Sequence, residues 1–558
     1  MPPARVTRSV SGAASPGSLE VFGQCLADDA ILVRALDFAA ETGDHHQVTD
    51  QLGCYSAVVR RPGETTLLAD PVAQFPLYYD GAGRFAARAG DLGTELDPVY
   101  LATRLACLDG AGLLENRSLF AGVRRVHPGH ALTIRDGVLT ERPHAPLRVD
   151  PALGAADAAR MLRDALVAAV RARAASARRL TADFSGGLDS TSLAYLALDD
   201  VGELPVLTHY QRDAPVTDDL DRVRAYIASE RRFAPVEVAL PEDSLPYQDL
   251  VSLGDEPHPA SIACGPARFR FAAAARHGAD VHLMGDGGDA VLWVTGAYFI
   301  DLARRGDLVT LWRHCFAWAR LRHRSPLSVF RRAVVMAGAG RRRALVRLAE
   351  TLERGLPVGD LPWEVAVISR WDVPQVDWLA PTARQLLAEQ VRLAACRESD
   401  VDAGESVVHD QLRSHGLTQR VHREVGEMVG IDVHAPFLDT AVVRAAIAMP
   451  AHRRADPLVA KPLLRKALDG LVPDRVLARQ TKGDYTREAY AGLRRAAPVL
   501  RKYLNDSAAE AHGLIDPVPV RQALEDAVNG LRVPWGALNQ VLAVEVWLRE
   551  NAREVAAT

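Results

Sequence analysis

Lysine is nearly absent from this chain. Of its 66 basic residues, only Lys461, Lys466, Lys482 and Lys502 are lysines, so arginine does the generic positive work. A lysine here is therefore less likely to be surface filler than usual, because the two side chains differ at a phosphate and in proton transfer. Cysteine is also sparse: Cys25, Cys54, Cys107, Cys264, Cys315 and Cys396 lie far apart, with no CxxC pair. That argues against a zinc site or disulfide framework and fits a reducing cytoplasm. No apolar run reaches the roughly 20 residues that span a bilayer. Met1 to Leu19 lacks a signal-peptide pattern and reads as a flexible leader. The net charge of −4 supplies no basic field, so nucleic acid is not expected as a partner. Arg331-Arg332 and Arg341 to Arg343 read as a solvated helix face.

What is present is organised in two styles. With 558 residues the chain is too long for one core. Residues 20 to about 145 read as mostly β. Gly53 to Val59 and Thr65 to Asp70 are strand-like, with Arg61-Pro62-Gly63 between them. Phe75 to Tyr79 and Arg84 to Ala87 flank a turn at Asp80 to Gly83. Ala131 to Ile134 is a further strand. Proline-rich Pro143 to Pro151 marks a boundary. Beyond it, Ala158, Met161, Leu162, Ala165, Leu166, Ala169 and Val170 recur at helical spacing, predicting a helix that ends near Ser176. Strands follow at 180–184, 206–210, 235–238 and 280–284, separated by helical stretches. Alternating strands and helices predict a parallel α/β sheet. Beyond residue 300 the chain reads as helical and arginine-rich.

The chemistry concentrates at Ser185-Gly186-Gly187-Leu188-Asp189-Ser190. A strand ends, two glycines turn the backbone, and a helix begins. Glycine N–H groups can approach an anion closely, and the helix start adds donors and a positive dipole end. Ser185 and Ser190 add hydroxyls. Asp189 would repel phosphate alone and makes sense as a Mg²⁺ ligand. The string is a pyrophosphate cradle, distinct from both a Walker A loop and GxGxxG. A capped glycine turn is the plainer alternative.

This string resembles the PP-loop of the N-type ATP pyrophosphatases and, more narrowly, the asparagine synthetase superfamily. Further landmarks occur in that family's order: Asp255-Glu256-Pro257, Gly285-Asp286-Gly287-Gly288-Asp289, Pro436-Phe437-Leu438-Asp439, Lys461-Pro462-Leu463-Leu464-Arg465 and Arg479-Gln480-Thr481-Lys482-Gly483. The resemblance implies an N-terminal degenerate glutaminase-like (Ntn-type) β-rich domain over residues 20–150. It implies a parallel-sheet PP-loop synthetase domain with added helices over 151–558. It also implies ATP and Mg²⁺, cleavage to AMP and pyrophosphate, and an acyl-adenylate. By match, Ser185 to Ser190, with Gly285, would hold the nucleotide. Asp189 and Asp289 would hold the metal, and Lys482 would be catalytic. Lys461 and Arg465 are weaker phosphate candidates. Asp286 stands where β-lactam synthetase has its tyrosine and is a catalytic candidate by position, with Glu424 or His422 as candidate bases.

Active glutaminases of this family expose an N-terminal cysteine. This sequence begins Met1-Pro2-Pro3, and Cys25 is internal. The expected amine is then one the substrate carries. Among relatives, a lasso peptide macrolactam cyclase fits best, with a precursor peptide as substrate and a leader-binding protein and leader peptidase as partners. A β-lactam synthetase-like or asparagine synthetase-like ligase is the alternative. A non-catalytic scaffold is a third reading, from another class.

Overall fold

The computed structural model describes residues 7–13, 16–106, 111–211, 218–355, 376–397, 401–479 and 486–557. The N-terminal part is built on an antiparallel sheet of six strands, ordered β1-β2-β3-β4-β8-β9. These are β1 (Arg8–Ser11), β2 (Ser18–Cys25), β3 (Gly53–Arg61), β4 (Glu64–Leu68), β8 (His130–Arg135) and β9 (Val138–Pro143). A small sheet of β5 (Tyr78–Tyr79), β6 (Phe85–Ala86) and β7 (Arg124–Arg125) lies between them in sequence. The expected flexible leader is corrected here: β1 pairs with β2, from Arg8 opposite Val21 to Ser11 opposite Ser18. It reads Arg-Ser-Val-Ser, with Val10 its one apolar and one buried residue, so apolar periodicity did not reveal it.

Residues 144–154 connect this part to a helix at Ala155–Ser176, whose Ala158, Leu162, Leu166, Ala169 and Val170 form the buried stripe. The second sheet is parallel, ordered β12-β11-β10-β13-β14. Its strands are β10 (Leu180–Asp183), β11 (Leu204–Gln211), β12 (Phe233–Leu240), β13 (Val281–Leu283) and β14 (Asp432–His434). Such sheets are covered on both faces, and Leu180, Ala182, Val206 and Leu283 are all in the core. The chain winds outward from β10 through β11 to β12. It then returns to β10's other side with β13. The order therefore reverses between β10 and β13. At such a switch point the two following loops diverge and leave a crevice.

The rest is helical, as expected, and its core includes the N-terminal helix Pro98–Ala106: Tyr100, Leu101 and Leu105 pack in one cluster with Leu387, Val391 and Trp547. Three carboxylates join the two parts. Glu256 accepts from the hydroxyls of Tyr78 (2.9 Å) and Tyr100. Asp255 accepts from Ala89 N at 2.9 Å and pairs with Arg420. Asp439 accepts from Gly53 N at 2.8 Å and pairs with fully buried Arg173 at 2.9 Å. No helix among the described residues is long and apolar enough to cross a membrane.

Candidate active site

The loops after β10 and β13 flank the switch point, and they carry the predicted residues. After β10, Phe184 N is held by Leu207 O at 2.8 Å, and Phe184 O accepts from Thr208 Oγ1 at 2.8 Å. Gly186 then takes φ +69°, a conformation that costs glycine little. Gly187 is the N-cap of the helix Leu188–Ala197. Ser185 and Ser190 close the turn: their hydroxyl oxygens lie 2.9 Å apart, Ser185 N donates to Ser190 Oγ (3.2 Å), and Gly187 N donates to Ser185 Oγ (3.2 Å). The turn is thus fastened by its own serines, with Asp189 in the first turn of the helix.

The second loop lies directly against the first. A Cβ on Gly285 would sit 2.7 Å from Ser190 N, and one on Gly288 would sit 2.6 Å from Asp189 Cγ. Only residues without a side chain permit this approach. Gly287, at φ +86°, turns the chain into the short helix Gly288–Leu292, which carries Asp289. Asp189 and Asp289 are thereby brought together, and Lys461 joins them. Its Nζ contacts Asp189 Oδ2 and lies 2.7 Å from Asp289 Oδ1. Lys461 is 5% exposed and has a left-handed backbone, φ +50°. Its packing over-determines a conformation that non-glycine residues rarely adopt.

The Mg²⁺ reading fits this donor set. Mg²⁺ needs only one or two protein carboxylates when substrate phosphates complete its shell. Asp189 and Asp289 supply one from each loop. Glycine packing leaves their approach unhindered. Lys461 adds positive charge beside the same oxygens.

Other expectations fared differently. Arg465 does not face the crevice. It donates to the carbonyls of Ala460 (2.6 Å), Leu477 and Arg479 (2.6 Å), so it staples two turns together. The staple positions Arg479, whose guanidinium donates to the carbonyl of Gly186 in the first loop. Arg479 was not singled out from the sequence. The motif containing it was the available signal. Lys482, with Gln480, Thr481 and Gly483, lies outside the described residues.

Glu424, a candidate base, sits on the helix Ala403–Met428. Its carboxylate accepts from Gly254 N at 2.7 Å and faces Arg420. Burial raises its pKa, and Arg420 opposes that rise. His422 is two residues earlier on the helix Ala403–Met428, about 200° around the axis. Its Nδ1 lies 2.7 Å from Asp286 Oδ2. Asp286 is half-buried, which favours its neutral form. The neighbouring His422 outweighs that and holds the carboxyl below its ordinary range. Asp286 is therefore the partner of an imidazole. The loop from Gly285 to Asp289 carries both a metal-type carboxylate and a histidine-orienting one.

Beneath the crevice, Asp183 ends β10. Its Oδ1 lies 3.0 Å from both Arg270 Nε and His282 Nε2. Burial alone would raise its pKa, but Arg270 and His282 together hold it down at about 2. This cluster ties β10 to β13 below the loops.

A search of curated proteins finds no match. The family model for asparagine synthase matches residues 161–549, well over half of the chain. That family comprises ATP-dependent ligases that form carbon–nitrogen bonds, usually with Mg²⁺. The matched span contains the paired loops, the Lys461 bridge and the Arg479 contact, and the chain belongs to the asparagine synthase family.

Proposed function

We propose that this protein is a lasso peptide cyclase. It activates an Asp or Glu side chain of a precursor peptide with ATP and closes a macrolactam with the peptide's own N-terminal amine. The observation that carries the adenylation step is the Lys461 bridge between Asp189 and Asp289 at the sheet's switch point. The cradle Ser185 to Ser190 would receive the phosphates, with Asp189 and Asp289 holding Mg²⁺, which supplies charge neutralisation on the phosphates. The substrate carboxylate oxygen attacks the α-phosphorus, and pyrophosphate leaves. The amine then attacks the acyl carbon, the carbon–oxygen bond to AMP breaks, and one proton leaves the nitrogen. His422, oriented through Nδ1 by Asp286, is assigned to accept that proton at Nε2. Lys482 is assigned by its motif to stabilise negative charge on the tetrahedral species.

The amine is assigned to the substrate because Cys25 is held inside the N-terminal sheet, where it ends β2 opposite Gly53 and is buried. Burial also raises its thiol pKa. A precursor peptide, a leader-binding protein and a leader peptidase are the expected partners, and a reducing cytoplasm is the expected location. The discriminating experiment is ATP–pyrophosphate exchange with candidate peptides, followed by mass spectrometry for loss of one water. Exchange with a small β-amino acid would favour the β-lactam-type alternative. Asparagine formation from aspartate and ammonia would favour a synthetase. Absence of pyrophosphate release with every carboxylate would leave the scaffold reading.

A further inference from the structure

A cavity of about 770 Å³ opens beside the paired carboxylates. Two elements of the active site begin its wall. Lys461 lines it directly, and Trp293 follows the short helix that carries Asp289. The volume falls in the ~300–1,000 Å³ range of sites that enclose drug-sized ligands. A free aspartate would leave most of it filled with water.

Its lining has a definite chemistry. Trp293 and Trp318 supply aromatic surface, and Trp293 is 40% exposed. Arg322 and Arg324 are exposed in the turn after the helix Leu308–Leu321, and Arg332 is exposed on the next helix, Pro326–Glu353. The fourth arginine, Arg454, is buried and paired with Glu405 at 3.2 Å. Among the lining residues, Asp456 is the single carboxylate. Positive charge thus predominates at the rim, and aromatic surface is held open to solvent beside it. Exposed tryptophan surrounded by arginine is costly to leave wet and suits a ligand that is both apolar and anionic.

We infer that this cavity seats the carboxylate donor as a peptide segment. An apolar side chain lies against Trp293 and Trp318, and acidic groups flanking the reacting carboxylate face Arg322, Arg324 and Arg332. The inference rests on the adenylation reading above and adds the substrate's local sequence character, which that reading leaves open. Specificity then comes from residues next to the reacting side chain, since Lys461, which bridges Asp189 and Asp289, also lines the cavity.

The test measures binding and chemistry separately. The probes are fluorescein-labelled Gly-Leu-Trp-Glu-Asp-Gly-Gly, its counterpart with both acids replaced by lysine, and an all-glycine-serine control. Fluorescence anisotropy is measured with the full chain and with the surface variants Arg322→Glu and Arg332→Glu. ATP–pyrophosphate exchange is run in parallel with the unlabelled peptides and with free aspartate. The acidic, apolar probe should bind best, and each variant should weaken it by about tenfold, equivalent to ~1.4 kcal/mol. Failure of that probe to bind, or binding that neither variant changes, overturns the inference. Free aspartate supporting exchange as well as the peptide also overturns it, while sparing the adenylation reading. Variant-sensitive binding without exchange on any carboxylate upholds the cavity assignment and instead removes the adenylation reading.

Discussion

His422 Nδ1 lies 2.7 Å from Asp286 Oδ2, so a carboxylate of the second loop holds an imidazole from a helix distant in sequence. Orienting one ring nitrogen through a carboxylate leaves the other as the proton acceptor.

His422→Asn should lower amide formation by ~10²–10⁴-fold, the usual contribution of a positioned acid or base. ATP–pyrophosphate exchange should change only a few-fold, because adenylation precedes amine deprotonation. An equal loss in both half-reactions would remove His422 from the deprotonation step and leave it a structural support.

Lys461 holds two carboxylates of like charge. Lys461→Met should destabilise the fold by ~1–3 kcal/mol, the cost of leaving charged acceptors without their donor. Adding Asp289→Asn should recover stability, because one of the two negative charges is gone. It should not recover exchange activity. Thermal melts check the first expectation and exchange the second. A double variant less stable than Lys461→Met alone would contradict the bridging role.

The contact between the loops is equally open to test. Gly285→Ala places a methyl 2.7 Å from the backbone nitrogen of Ser190. That atom cannot rotate away, and overpacking of this kind costs ~1–3 kcal/mol. The KM for ATP should rise by about tenfold or more, while melting temperature falls only modestly. An unchanged KM would mean that the loops do not bind the nucleotide together.

Asp183 makes a prediction about acid. Its folded-state pKa, about 2, lies below the ordinary carboxylate value because Arg270 and His282 outweigh burial. A depressed folded pKa contributes stability above the unfolded pKa, and that stability is lost as pH falls through the folded value. Between about pH 4 and pH 2 the fold should lose roughly 2 kcal/mol from this group. Asp183→Asn should be less stable at neutral pH and show a shallower acid transition, measured by denaturant melts. Parallel pH curves for the two proteins would exclude Asp183 as the cause.

The parts legible from sequence were those in which neighbours along the chain are neighbours in space. The 155–176 helix and the strand, turn and helix from Leu180 to Ala197 declare themselves through periodicity and glycine. β14 escaped notice because Asp432-Val433-His434 offers one apolar residue and depends on β13 for its pairing. Lys461 and Asp189 are separated by 272 positions, so their contact left no local pattern. Arg465 was misread for a related reason. A cation near a phosphate motif looks the same in sequence whether it meets a ligand or three backbone carbonyls.

Asp255, Glu256 and Asp439 lie in the ligase part, yet each takes a partner from the N-terminal part. The helix Pro98–Ala106 is likewise embedded in the C-terminal core. The ligase half is therefore not a detachable module. Excising everything before the 155–176 helix would strip buried carboxylates of their donors and open a face of the core to water. The N-terminal part, on this architecture, is one that the ligase half cannot shed.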